Sequence, residues 1–291
     1  MKILLTGSNG QVGKEITKIS EKFKLDLISM DKAQLNIIDY AVLEKQIIKY
    51  QPEVIINAAA YTNVEKAEEQ KVLAEGTNSH AVKNLAEVCK NHSILLIHLS
   101  TDYVFNGLKK SDYLETDETD PINTYGKTKL LGEEVIRSLL EEHIIIRTSW
   151  VFGIHGNNFV KNIIKLARKE TELRVINNQW GSPTSAKSIA KAIFKIIEDY
   201  SNNKDINFGT YHFSGTPATN WYDLARRTCD LAYKKGVLDD LPSIKPVPSS
   251  AFKTLANRPI NSCLNSDKIL KFYGIKQGKW NNDLDEIIDS L

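Results

Sequence analysis

Short apolar runs rich in β-branched residues alternate with longer stretches in which apolar residues recur every three or four positions, and this alternation organises the first half of the chain. The runs predict strands over Lys2 to Leu5, Leu25 to Ser29, Val54 to Asn57, Ile94 to Leu99 and His143 to Thr148. Helical period fills the gaps, over Gln11 to Ser20, Tyr40 to Lys49, Val82 to Asn91 and Tyr125 to Glu141. Parallel neighbours need a crossover, and the crossover is right-handed, so the repeat predicts a doubly wound α/β fold with a parallel sheet covered on both faces. Near Trp150 the pattern loosens into turn-rich segments such as "NNQWGSPTS", "SNNKDINFGTYHF" and "LPSIKPVPSS". Helical stretches survive there at Phe159 to Arg168, Ser188 to Tyr200, Trp221 to Lys234 and Leu284 to Leu291. Residues 1–150 are therefore expected to form the main α/β domain and 151–291 a smaller C-terminal lobe, with the helix near 186–200 returning to the flank of the sheet.

Composition narrows the function classes. The 291 residues carry 38 Lys and Arg against 36 Asp and Glu, with the signs interleaved, so no nucleic-acid footprint is expected. No apolar run approaches the roughly 20 residues of a membrane span, and the four apolar residues before Thr6 are too few for a signal peptide. Three well-separated cysteines, Cys89, Cys229 and Cys263, form no metal-ligand spacing. A cytoplasmic protein without membrane or nucleic-acid partners is the expectation.

Ligands of open parallel sheets bind beyond the carboxyl ends of the strands. There the first strand runs into "TGSNGQVG", with Gly7, Gly10 and Gly13 spaced GxxGxxG and Asn9, Gln11 and Val12 between them. Glycines between a first strand and a first helix let the backbone approach a pyrophosphate, which the helix N-terminus favours; this points to a Rossmann-type dinucleotide site. The second strand ends in Asp31 and Lys32. Asp31 is suited to the adenosine ribose hydroxyls and Lys32 to a 2′-phosphate, which leaves NADH and NADPH both open; a solvated charge pair is the plainer alternative. Asp39 lies near the adenine or caps a helix. Ala58, Ala59 and Ala60 after the third strand leave room for a flat ligand.

Tyr125 and Lys129, four residues apart at a helix start, share one face. An ammonium near a phenol lowers the phenol's pKa toward the range of an acid or base catalyst. The stretch "LSTDYVFNG" breaks a core strand with Ser100, Thr101 and Asp102. By itself it reads as a strand end and a turn, with the Ser100 hydroxyl satisfying backbone groups.

With "TGSNGQVG", "NAAAYTNVEKAE", "STDYVFNG", "YGKTKLLGE", "RTSWVFG", "GNNFV", "NQWGSPT" and "RPINSCLN" in order from Gly7 to about Asn265, the chain resembles the extended short-chain dehydrogenase/reductase family, and within it the reductases of dTDP-linked 4-keto sugars. The resemblance implies hydride transfer between a nicotinamide cofactor and the C4 carbon of a dTDP-linked 6-deoxyhexulose. It implies that Tyr125 protonates the developing alkoxide, that Lys129 holds the nicotinamide ribose, and that Thr101 donates to the ketone oxygen. Asp102 would line the sugar site, Trp150 would stack on the thymine, and Asn157, Asn158 and Arg258 would meet the diphosphate. The C-terminal lobe would bind substrate, and the protein would act as a monomer or homodimer.

Two positions depart from the family pattern. Family members can hold magnesium through carboxylates at a dimer interface; Glu15 is kept, but Lys187 stands where a partner carboxylate belongs, so no metal is expected. Cys263 replaces an expected arginine in "RPINSCLN". Dehydratases of this fold usually follow the threonine with an acid pair, and Asp102-Tyr103 argues against dehydration. Another nucleotide-sugar ketoreductase, an epimerase and a non-catalytic regulatory subunit are the alternatives.

Overall fold

The computed structural model describes residues 1–23 and 25–291. The first half runs β1 (Lys2–Thr6), α1 (Gln11–Phe23), β2 (Asp26–Met30), α2 (Tyr40–Tyr50), β3 (Val54–Asn57), α3 (Val64–Glu69), α4 (Lys71–Glu75), α5 (Ala81–His92), β4 (Leu95–Thr101), α6 (Thr124–Leu139) and β5 (His143–Thr148). The second half adds β6 (Val151–Phe152), α7 (Phe159–Ala167), β7 (Glu172–Ile176), β8 (Trp180–Gly181), β9 (Thr184–Ser185), α8 (Ala186–Asn202), β10 (Gly209–His212), β11 (Thr219–Asn220), α9 (Trp221–Lys234), β12 (Ser243–Val247), α10 (Asp267–Tyr273) and α11 (Trp280–Ile288).

The central sheet has six strands in the order β10-β5-β4-β3-β1-β2, and every pairing in it is parallel. The chain is α/β and Rossmann-type, as the alternation of patterns predicts. β1 lies between β2 and β3, so the winding reverses there and opens a crevice at the strand ends Thr6 and Asn57. Both faces of the sheet are buried, which is why the strands read as continuous apolar runs. On β4, Leu95 and Ile97 pack toward the side of α1 and α8, while Leu96 packs toward α5 and the end of α6. By the same alternation His98 and Ser100 continue the α6-facing row, which brings two polar residues under that helix.

The sixth strand comes from the segment whose turn residues mask it. β10 offers only Gly-Thr-Tyr-His, too short for a period to show, yet Tyr211 and His212 are fully buried beside β5. α8 and α10 join the same core through Ile189, Ile193, Ile196, Ile269 and Tyr273. A separate core binds the remaining elements, with Phe152, Ile163, Leu173, Leu224, Trp280 and Leu284 at its centre. Among the described residues no helix is long and apolar enough to cross a membrane.

Candidate active site

The glycine turn lies against the crevice. Gly7 sits at φ +71°, and a Cβ there would fall 2.6 Å from the Ala59 nitrogen and 2.7 Å from the Ala58 carbonyl carbon. The β1 and β3 strand ends are thus in backbone contact, which leaves a flat cradle that any side chain would fill. Gly10 donates to Gly7 O at 3.0 Å and α1 starts at Gln11, so the first-turn N–H groups of Gln11, Val12 and Gly13 lie at the cradle without intrahelical acceptors. The Val12 side chain points the other way, into the core. Gln11 has a further task, since its Oε1 accepts from Asn158 Nδ2 at 2.9 Å and ties the turn to the C-terminal lobe.

Asp31 follows the end of β2, and Asn9 of the glycine turn donates to its Oδ2 at 2.6 Å. Its Oδ1 accepts the backbone N–H groups of Ala33 and Gln34 at 2.9 and 3.0 Å. The carboxylate therefore holds the rim of the cradle together and keeps only its remaining lone pair for a ribose. Lys32 beside it is exposed and makes no ion pair among the described residues. Asp39 is the N-cap of α2, accepting from Val42 N at 3.1 Å, which is the plainer of its two readings.

At the carboxyl end of β4 the chain enters a short 3-10 turn over Asp102–Val104. Thr101 Oγ1 donates to Asp102 Oδ1 at 3.0 Å and accepts from Tyr103 N at 3.1 Å. Asn123 caps α6 by accepting from Gly126 N, and that start projects Tyr125 toward Thr101. Tyr103 meets the Tyr125 ring edge-on, centroids 6.0 Å apart. Burial pushes the Tyr125 phenol up to about 12, against the Thr101 hydroxyl, and Asp102 raises it further. The sequence expectation was a phenol lowered by Lys129. Lys129 Nζ instead donates to Leu99 O at 2.6 Å and lies 3.1 Å from His98 Nε2, so in this state its reach is spent on β4. Burial brings Lys129 itself down to about 8, with Glu133 opposing. Asp102 is buried too, which lifts it to about 7 against the Ser262 and Thr101 hydroxyls, and its Oδ2 has no hydrogen-bond partner among the described residues.

Thr101, Asp102, Tyr125 and Lys129 thus stand together at one strand end, and three assignments from the sequence, Trp150, Asn158 and Ser100, come out differently. Trp150 stacks on Trp221 with centroids 3.4 Å apart and planes at 6°. Its other face is covered by Gly181, whose Cβ position would lie 2.4, 2.6 and 2.7 Å from Cε2, Nε1 and Cζ2. An indole covered on both faces has none left for a thymine. Asn158 is buried and fully used: its Nδ2 donates to Gly153 O and Gln11 Oε1, and its Oδ1 caps α7 at Lys161 N. It is a latch between lobe and cradle, whereas Asn157 is exposed. Arg258 is already paired with Glu65 at 2.6 Å, beside Tyr103. Ser100 donates to Glu133 Oε1 at 2.5 Å, so its hydroxyl serves a buried ion cluster rather than local backbone.

Sequence reasoning missed Asn57, His98, Tyr103 and Glu133. Asn57 and His98 sit where a parallel strand should carry an apolar residue, and that mismatch is the signal that was present. It missed Trp180 as well, which is 46% exposed and lines a surface cavity of about 500 Å³ with Lys109, Lys110 and Cys263. The Cys263 thiol is buried and held up at about 12, an inert filler where a cation was expected.

A divalent metal at Glu15 does not fit the residues present. Glu15 Oε1 faces His155 Nε2 at 3.8 Å, and Lys187, paired with Glu286, puts an ammonium where a second carboxylate ligand would be needed. Among the described residues no group of three metal-ligating side chains comes together.

The family described as RmlD substrate binding domain matches residues 1–291. A dTDP-4-dehydrorhamnose reductase from Aggregatibacter actinomycetemcomitans is 38% identical over 287 residues, covering 98% of each chain. The crystal structure of a dTDP-4-dehydrorhamnose reductase from Clostridium acetobutylicum superposes with a TM-score of 0.91 at 35% identity, covering 100% of this chain and 99% of that one. That of the Bacillus anthracis reductase in complex with NADP gives a TM-score of 0.91 at 31% identity, covering 100% of both. On the full-length match and these identities, the chain belongs to the dTDP-4-dehydrorhamnose reductase family.

Proposed function

We propose that this chain reduces the C4 ketone of dTDP-4-dehydro-L-rhamnose to dTDP-L-rhamnose with NADPH or NADH, for rhamnose-containing surface polysaccharide. The observation that carries the reading is the meeting of Thr101 and a protonated Tyr125 at the end of β4, beside the glycine cradle. The names of the relatives supply the substrate, and the NADP of the Bacillus anthracis crystal supports the cofactor class.

The cradle fits a dinucleotide: the Gly7 turn, the α1 first turn and Ala58 to Ala60 would hold it, with Asn9, Asp31 and Lys32 at the ribose end and Tyr125 and Lys129 at the nicotinamide end. When bound, the nicotinamide supplies a hydride to the ketone carbon. Tyr125, kept protonated by burial, donates its proton to the oxygen on which negative charge develops. Thr101 turns its hydroxyl from Asp102 to that oxygen as a preorganised donor. Asp102, whose ionisation burial lifts to about 7, offers its unpartnered Oδ2 to a sugar hydroxyl. Arg258, shared with Glu65, would supply a cation for the diphosphate. The C-terminal lobe completes the sugar-nucleotide site, and the enzyme works in the cytoplasm as a monomer or homodimer.

The test is to supply dTDP-4-dehydro-L-rhamnose with NADPH and follow loss of the reduced-cofactor absorbance. Oxidation is expected, and its absence with folded protein overturns the reading. Tyr125→Phe is expected to keep cofactor binding and lose turnover by about 10²- to 10⁴-fold, the usual contribution of a positioned proton donor.

A further inference from the structure

A buried hydrogen-bond chain reaches Lys129 from behind. The Ala59 backbone N–H donates to Asn57 Oδ1 at 3.1 Å, and Thr6 Oγ1 donates to the same oxygen at 2.7 Å. Asn57 Nδ2 lies 2.9 Å from His98 Nδ1, and His98 Nε2 lies 3.1 Å from Lys129 Nζ. Asn57, His98 and Lys129 are all buried, at 0%, 0% and 1% exposure, so no solvent intervenes to relieve a mismatched pair.

Donor and acceptor roles follow from the one fixed group. A backbone N–H cannot turn, so the atom of Asn57 facing Ala59 is the oxygen and the atom facing His98 is the –NH₂. His98 Nδ1 must then present its lone pair. A neutral imidazole carries its proton on the other nitrogen, so Nε2–H points at Lys129 Nζ. An ammonium has three donors and no acceptor, and it would meet that N–H donor to donor; a neutral amine has the lone pair the geometry requires. Leu99 O takes one of the amine hydrogens at 2.6 Å.

A second buried histidine shows the opposite arrangement beside a permanent cation. His212 Nδ1 lies 3.0 Å from the Tyr113 carbonyl, which can only accept, so His212 is the Nδ1–H tautomer. Its Nε2 lone pair then faces Arg147 Nη1 at 3.4 Å. Where the neighbour is a guanidinium the imidazole turns a lone pair to it; Lys129 receives an N–H.

We infer that His98 is a positioning residue which, locked as the Nε2–H tautomer by Asn57, donates a hydrogen bond to Lys129 and so favours its neutral amine over the ammonium. The inference rests on the proposed reductase reading only for what the amine serves; the tautomer is a property of the chain alone. It accounts for a lysine buried with no carboxylate in contact among the described residues. The charged groups around Lys129 agree with it: Glu133, one turn along α6, spends its charge on Arg147 and Arg137, and the Tyr125 phenol is neutral. Burial, opposed by Glu133, puts the Lys129 ionisation near 8, inside the range a pH–rate profile samples.

The experiment is a long-range proton–nitrogen spectrum of the histidine-labelled full chain without ligands, with His98→Gln and His212→Gln identifying the two signals. The expected result is Nε2–H for His98 and Nδ1–H for His212. Nδ1–H at His98 overturns the inference, whatever the chain is found to catalyse. Asn57→Asp supplies a carboxylate that accepts from Nδ1–H and frees Nε2 to accept from an ammonium. In that variant the His98 tautomer is expected to switch, and the ionisation near 8 in the kcat/KM profile to move up by about one pH unit. A folded variant whose tautomer and profile both stay in place overturns the link between His98 and Lys129.

Discussion

Helix α6 carries two buried charged residues one turn apart, Lys129 and Glu133, and their surroundings are opposite. Glu133 accepts from Arg147 at 2.7 Å, Arg137 at 2.9 Å and Ser100 at 2.5 Å. Burial alone would raise its pKa, but Arg147 and the hydrogen bonds outweigh burial and hold it below the usual carboxylate range. Lys129 faces an imidazole and a carbonyl, both neutral, and burial prevails. A buried charge that is matched stays charged and acts as architecture; one left unmatched moves into the working pH range and becomes available for chemistry. The helix separates the two roles by four residues.

Substitution should separate these roles cleanly. The largest effect is expected at the unmatched end: Lys129→Met should cost turnover about 10²-fold or more. Because it leaves the His98 N–H and the Leu99 carbonyl without their partner but strands no ion, it should cost only about 1–3 kcal/mol of stability. At the matched end, Arg147→Met strips Glu133 of its bidentate partner and should cost about 3–5 kcal/mol of stability, the usual penalty for stranding a buried ion. Turnover per folded molecule should persist there, since Arg147 touches none of Thr101, Tyr125 or Lys129. If both variants lost stability alike, the contrast between architecture and chemistry on α6 would fail.

The same contrast explains what the sequence made legible. Strands buried on both faces, the glycine turn and the Tyr125–Lys129 spacing are local patterns, and each of them appears in the structure within a few residues of its expected bounds. β10 escaped because a strand of four residues carries too little period. Trp150 and Asn158 escaped for another reason. Their side chains are of kinds that bind ligands, but Trp221, Gly181, Gln11 and Gly153 consume them, and those partners lie up to 147 residues away in the chain. His98 and Asn57 were visible as polar residues in core strands, yet which nitrogen carries a proton depends on a network spanning β1, β3, β4 and α6.

The smallest effect tests whether the histidine beside each buried basic side chain is held neutral. Burial lowers His98 well below the usual 6.5 and His212 to about 3, with Lys129 and Arg147 adding to it. Below pH 6.5 the unfolded chain takes up a proton that the folded one refuses, so stability falls as pH drops and the loss for His212 is complete near 3. Each such histidine contributes a slope of about 1.4 kcal/mol per pH unit. His143, also lowered by burial, adds the same sign, while Asp102, raised to about 7, binds its proton in the fold and runs the other way between 7 and 3.8. Glu133 stays out of this window, because its lowered pKa withdraws stability only below the carboxylate range. Urea midpoints between pH 6.5 and 5 should therefore fall with acidification. In His212→Gln, whose amide can still donate to Tyr113 O and accept from Arg147, the slope should flatten by about 1.4 kcal/mol per pH unit. An unchanged slope would mean that His212 protonates in the fold, and the lone pair facing Arg147 would then be wrongly assigned.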